Sequence, residues 1–216
     1  MGQRWDPSFW LGEPSPATPY PWAQLGDFIE HITYGPIVTG ARPSPVQRGV
    51  AIVEQKVVRP TGVLLDEAIR VEPGCAYDLP RARLEPGDIV FCRSGAGTLR
   101  KKRFTVFDRQ DEATVSCFVD LIRLRGIDPY YVVTVLGSSF GWPQIERLIN
   151  GVGTPNINFA ELRALRIPLA PKPLQQAVAQ RWLEIRHLHN GGAPDEGMAR
   201  LDDTVAELER ALEAGD

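Results

Sequence analysis

Between Tyr130 and Gln180 the chain orders its local signals in a way few folds accommodate. A helical pair is followed by a Gly-rich turn ending Thr154-Pro-Asn-Ile-Asn158, then a short helix, an apolar strand, a proline pair, and a new helix carrying Gln175-Gln176. Asp128 is placed to cap the first helix, with Pro129 at its first position, where the missing N–H costs nothing. Val132, Val135 and Leu136 are its inward residues, and it stops near Gly137–Gly141. Pro143 opens the second helix, whose apolar face is Ile145, Leu148 and Ile149. Asn158 and Glu161 have capping-box spacing, so a short helix begins there. Leu165–Leu169 is an apolar strand, and Pro171 and Pro173 end the domain.

The hundred residues before this block have another period. Gly49–Val58, Asp88–Arg93, Arg103–Phe107 and Thr114–Leu124 are β-branched or aromatic runs bounded by Gly, Pro and Asp, the mark of strands. Glu85-Pro86-Gly87-Asp88 is a turn into a strand, Gly95–Thr98 reads as a hairpin or longer loop, and Leu64–Ile69 as one or two helical turns. Before them, Pro7, Pro14, Pro16, Pro19 and Pro21 alternate with Trp5, Phe9, Trp10, Tyr20 and Trp22. Such a segment cannot stay helical, and its aromatics suit an arm lying over the surface.

After the proline pair come two helices. Leu174, Val178 and Ile185 stripe the first, with Ala177, Trp182 and Leu188, and Asn190-Gly-Gly-Ala-Pro194 breaks it. The second repeats Met198, Leu201, Val205, Leu208 and Leu212 in steps of three and four, the pattern of a coiled-coil seam. It forms a rod of roughly 30 Å whose seam needs a partner helix: the preceding helix, a second copy, or another protein. The fold class is therefore α+β. An arm over residues 1–24 leads to a strand-rich domain over 25–172, and a helical hairpin or coiled coil over 173–216 completes the chain.

Charge is distributed unevenly. From Asp195 to Asp216 eight acids face two bases, a local −6, so residues 1–194 carry +3 within a chain total of −3. Six bases stand against one acid in Arg93–Arg109. Arg93, Ser94, Gly95, Thr98, Arg100, Lys101, Lys102 and Arg103 combine flexible glycines with donors suited to phosphates and guanine edges. The plainer reading is a solvated hairpin with ordinary surface lysines, but four consecutive bases exceed what solubility needs. Thr39–Arg42 is a second, weaker candidate for contact with a duplex. Thr154, Asn156 and Asn158 suit DNA contact, and equally turn and capping roles.

Catalytic and metal signatures are missing. There is no His pair at helical spacing, no HExxH, no cysteine cluster and no GxSxG elbow. Ser94-Gly95-Ala96-Gly97 lacks the Gly-Lys-Ser/Thr of a phosphate loop, and Asp128-Pro129-Tyr130-Tyr131 lacks the second proline of an adenine-methyltransferase signature. Neither cofactor nor metal is expected. No run approaches roughly 18 apolar residues, so no membrane partner is expected. The odd thiol count (Cys75, Cys92 and Cys117, with no CxxC) points to a reduced, cytoplasmic protein.

Three pieces of the chain resemble type I restriction–modification specificity subunits. Leu25-Gly-Asp-Phe-Ile-Glu with Ile32-Thr-Tyr-Gly35 is similar to the opening of a target recognition domain, and Glu85-Pro-Gly-Asp-Ile-Val-Phe-Cys-Arg-Ser-Gly95 to its central strand and loop. Leu136-Gly-Ser-Ser139, Gly151–Asn158, Leu165–Leu169 and Leu174-Gln-Gln176 resemble its closure and the start of the spacer helix. The resemblance covers about residues 25–190. It implies a non-catalytic subunit that reads double-stranded DNA and delivers an adenine methyltransferase subunit, and optionally a restriction endonuclease subunit, to the target. Family members usually carry two recognition domains, and this chain has one. That implies a half-subunit that dimerises through its helices, or one copy beside a methyltransferase. Two other readings remain: the recognition fragment of a single-chain adenine methyltransferase, and a protein-only phage-defence adaptor. The broken helix at Gly191-Gly192 departs from the family's long rod.

Overall fold

The structure, a computed structural model, describes residues 16–40, 43–149 and 155–215. Its centre is strand β10 (Val119–Leu124), which pairs antiparallel with both β2 (Ile29–Tyr34) and β7 (Ile89–Cys92). β8 (Phe104–Val106) adds to β7, giving the order β2-β10-β7-β8. A second sheet, β6-β3-β9, is built from β3 (Val50–Val53), β6 (Ile69–Val71) and β9 (Ala113–Val115), with β3 and β9 parallel. Two small ladders remain: β1 (Trp22–Gln24) with β11 (Arg166–Pro168), and β4 (Val58–Arg59) with β5 (Gly62–Val63).

The central strands are buried on both faces, and their alternation assigns each face to a different core. Ile89, Phe91 and Ile122 join the core under the helices, whereas Val90, Cys92 and Leu121 join the one shared with β3 and β9. At the far end Asp88, only 2% exposed, accepts from the Arg123 guanidinium at 2.8 Å and from Glu85 N at 2.7 Å, which closes the expected Glu85–Asp88 turn.

Helix α1 (Ala96–Leu99) occupies the segment expected to be a loop; α2 is Pro129–Gly137, α3 Trp142–Ile149 and α4 Phe159–Ala164. Two caps form as the sequence requires. Asp128 accepts from Tyr130 N (2.8 Å) and Tyr131 N (3.1 Å), and Asn158 and Glu161 make both capping-box bonds. α2 is buried all round rather than on one stripe: Tyr131, Val133 and Thr134 are covered as well. Tyr131 donates its hydroxyl to Pro168 O at 2.7 Å, so even its polar atom is satisfied inside.

The long helices α5 (Lys172–Asn190) and α6 (Pro194–Ala214) form a hairpin broken at Gly191-Gly192, as expected. The seam does not wait for another molecule. Val178, Ile185, Leu201, Leu208 and Leu212 are buried in the same core as α2 and β7, with Leu174, Met198 and Val205 packed on it. Of the three candidate partners, the preceding helix of the same chain takes the seam. Expected interface residues are thus covered internally, because α2 and α5 together supply the apolar surface that α6 lacks. Trp182 locks the junction, donating Nε1–H to Thr134 Oγ1 at 2.9 Å.

Three other expectations change. The last residues of the N-terminal arm belong to the domain, because Trp22–Gln24 pairs with β11; residues 1–15 lie outside the described residues. Thr114–Leu124 is two strands, since Ser116 N donates to Val53 O (3.0 Å) and Val119 N to Ser116 O (3.1 Å), turning the chain from one sheet to the other. Leu64–Ile69 is a single 3-10 turn, Leu65–Glu67, running into β6.

Candidate nucleic-acid interface

The strand directions bring several loops to one end of the molecule. β2, β3 and β7 all leave their sheets there, and the β9–β10 turn lies between them. Arg93 N donates to Phe118 O (3.1 Å), Gly35 N to Ser116 O (3.2 Å), Ile157 N to Arg93 O (2.9 Å) and Gly95 N to Pro155 O (3.0 Å). Gln55 Nε2 joins two of these loops by donating to Ser94 O (2.9 Å) and Phe118 O (3.3 Å). The outcome is a rim that presents Thr39, Gln55, Lys56, Ser94, Thr98, Ser116 and Asn156.

Arg93 is the clamp of this rim. Its guanidinium lies 4.7 Å from the Tyr34 ring centroid and 5.3 Å from that of Phe159, joining β2 to α4 through cation–π contacts. Beneath it Asp120 is fully buried, 3.5 Å from Nη1, an ion contact rather than a hydrogen bond. Burial pushes the Asp120 carboxyl up to about 7, against the pull of Arg93. With only 12% of its side chain exposed, Arg93 holds the rim together more than it projects from it.

The residues expected to touch DNA fall into two groups. Arg93, Ser94, Gly95 and Thr98 are brought to the rim, with Thr39 exposed on the loop after β2; Arg42 lies outside the described residues. Gly95 turns the chain with φ +84°, and Thr98 N and Leu99 N then donate to its carbonyl, which starts α1 where a hairpin or longer loop was expected.

The four consecutive bases diverge from the rim. Arg103 donates to Gln55 O and supports the rim from below. Lys102 adopts φ 49° and donates Nζ–H to Gly137 O at 2.6 Å, 5.0 Å from the Trp142 ring. Burial holds its ammonium below the usual lysine range, opposed by Asp202, Glu209 and Glu146. Arg100 and Lys101 stay exposed on one lip of a groove of about 320 Å³, with Asp202 and Glu209 on the other. Part of the charge asymmetry seen in the sequence is therefore an attraction between the body of the chain and its own last helix.

The hairpin is tied to the strand domain at its far end too. The Arg186 guanidinium pairs with Asp108, and His189 Nδ1 lies 2.9 Å from Thr61 Oγ1 against Gly62, where a Cβ would sit 2.6 Å from the imidazole. Rim and helices are thus parts of one packed body. Sequence reasoning missed Tyr34, Gln55 and Asp120. A lone carboxylate in the apolar run Val119-Asp-Leu-Ile122 was the available signal for the last.

Among the described residues no group of three His, Cys, Asp or Glu side chains is placed to hold a metal, and no helix is long and apolar enough to cross a membrane. Cys75, Cys92 and Cys117 are free thiols.

No family model matches the chain, and no curated protein matches it. Solved structures do. A structure described as showing complex assembly and conformational transition of the type I R-M system matches with a TM-score of 0.58 and 16% identity, over 94% of this chain and 48% of that one. The HsdS subunit from Thermoanaerobacter tengcongensis matches with a TM-score of 0.54 and 14% identity, over 93% of this chain and 47% of that one. The S subunit of a type I restriction–modification system from M. genitalium gives a TM-score of 0.54 and 14% identity, over 80% and 41%. The chain thus has the fold of these subunits and spans about half their length. At such identity the likeness establishes the fold.

Proposed function

We propose that this chain is a non-catalytic DNA-recognition subunit of a type I restriction–modification complex, with one reading domain, acting in the cytoplasm. The observation that supports it most is the match to the fold of an HsdS subunit over 93% of the chain. Coverage of about half of those chains is what a single reading domain would give. The rim supports it chemically. Its hydroxyl and amide donors sit on loops held by backbone hydrogen bonds, so they meet a duplex already positioned. Arg100 and Lys101, exposed on the groove lip that follows the Ser94–Thr98 turn, supply phosphate contacts.

In this reading the hairpin presents its outward faces to a partner adenine methyltransferase, or to a second copy of the chain. A twofold pair would read a palindromic split site. A restriction subunit would join the same assembly.

The test is to sequence genomic adenine methylation with and without the gene, alongside binding of the purified chain to a random duplex pool. Loss of methylation at one motif, which the chain also enriches from the pool, is the expected result. Unchanged methylation together with equal binding of all duplexes would sink the proposal and leave a protein-only adaptor.

A further inference from the structure

Among the described residues three large apolar side chains stand well out of the surface: Ile37 (71% exposed), Phe118 (54%) and Leu183 (53%). Leu183 is on α5, but Ile37 and Phe118, 81 positions apart in the sequence, share the rim. Their segments come together because two backbones touch. Gly35 crosses the β9–β10 turn so closely that a Cβ there would lie 1.8 Å from Val115 O. Ile37 follows the crossing by two residues in the loop after β2, and Phe118 follows Ser116 by two in the β9–β10 turn.

The Phe118 backbone is held from two sides, its carbonyl accepting from Arg93 N and Gln55 Nε2. The ring is nevertheless outside. Phe118 borders a cleft of about 360 Å³ lined also by Pro36, Val38, Ile52, Val115 and Cys117, with Glu54, Gln55 and Lys56 at its polar edge; Ile37 stands beside it, between Pro36 and Val38. A rigid backbone that exposes two apolar side chains, one at the edge of a largely apolar cleft and one beside it, marks a contact surface.

The size of the patch indicates what it contacts. Two half-exposed side chains offer on the order of 200 Å², well below the roughly 800 Å² per partner of a stable protein interface. The patch suits a small apolar group between polar donors: Lys56, 58% exposed and 3.0 Å from the Glu54 carboxylate, lies on one side, and the Ser94–Thr98 turn, with its hydroxyls, on the other.

We infer that this cleft takes the C5-methyl edge of a thymine in the major groove, with Phe118 and Ile37 as its apolar contacts. The inference rests on the DNA-reading function proposed above. Thymine carries the only methyl group among the four major-groove base edges, and an apolar side chain reads it directly. The donors around the cleft fix the register on phosphates, and the apolar pair makes the rim prefer thymine at one position.

The experiment uses the full chain and the duplex it selects from a random pool. Each thymine of that site is replaced in turn by uracil, which keeps the hydrogen-bonding edge and lacks only the methyl. One replacement should weaken binding about fourfold, the worth of one buried methyl group. Phe118→Ala and Ile37→Ser should weaken binding similarly, lose sensitivity to that one replacement, and keep both melting temperature and salt dependence. If the chain selects a site yet no uracil replacement matters, or Phe118→Ala retains the thymine preference, the inference is overturned while DNA reading stands. If the chain selects no sequence, both fall.

Discussion

Asp120 shows how one side chain can link pH to the geometry of the rim. Its carboxyl is buried under Arg93 and pushed up to about 7, well above its value in an unfolded chain. The folded state therefore holds that proton more tightly than the unfolded one, and the stability this contributes is full below about pH 4 and lost as pH rises to 7. The swing is at most about 4 kcal/mol. Asp120→Asn removes the ionisation, so its melting temperature relative to the wild type should rise from pH 5 to about pH 7 and level off above it. A difference independent of pH would mean that Asp120 is ionised throughout. The burial of Asp120 was only hinted at in the sequence: an acid in an apolar strand needs a partner, and Arg93, 27 positions away, is brought there by β7–β10 pairing.

Local elements were largely legible, because their determinants lie within a few residues. The Asp128 and Asn158 caps, the Gly191-Gly192 break and the strands around Val90 and Ile122 needed only capping chemistry and period. Misread elements depend on distant partners. The Ser116–Phe118 turn exists because Val53 O takes Ser116 N, and α1 replaces a hairpin or longer loop because Leu99 finds a place in the core. The seam of α6 was legible as a seam, whereas its partner was not, since an apolar stripe carries no address. With that seam in the chain's own core, Leu208→Ala should cost about 3 kcal/mol of unfolding free energy in denaturant titration. The loss should be the same at low and high protein concentration. A loss that appears only on dilution would place Leu208 between molecules.

At the scale of the molecule, rim and hairpin form one body, so in the proposed assembly a partner docked on the outward faces of α5 and α6 would meet DNA at a set angle. The two groups of polar residues should separate in binding experiments. Arg100→Glu with Lys101→Glu should weaken binding to all duplexes and lower the salt slope by about one for each phosphate no longer neutralised. Ser94→Ala or Asn156→Ala should instead relax the preference at single positions by roughly 1–3 kcal/mol each and leave the slope alone. If the double reversal left the slope unchanged, the lip would face only the acids of α6.

The sequence alone determined most of the strands and helices, where the longer helices are capped and broken, and that the chain has charges of opposite sign in its body and its last helix. Those properties follow from the φ/ψ limits of Gly and Pro, from hydrophobic period and from composition, all of which act locally. Tertiary structure decided which charges meet each other, which helix takes the seam, and which loops share a rim. Arg93, Gly35 and Phe118 have no local reason to be neighbours; antiparallel pairing about β10 makes them so.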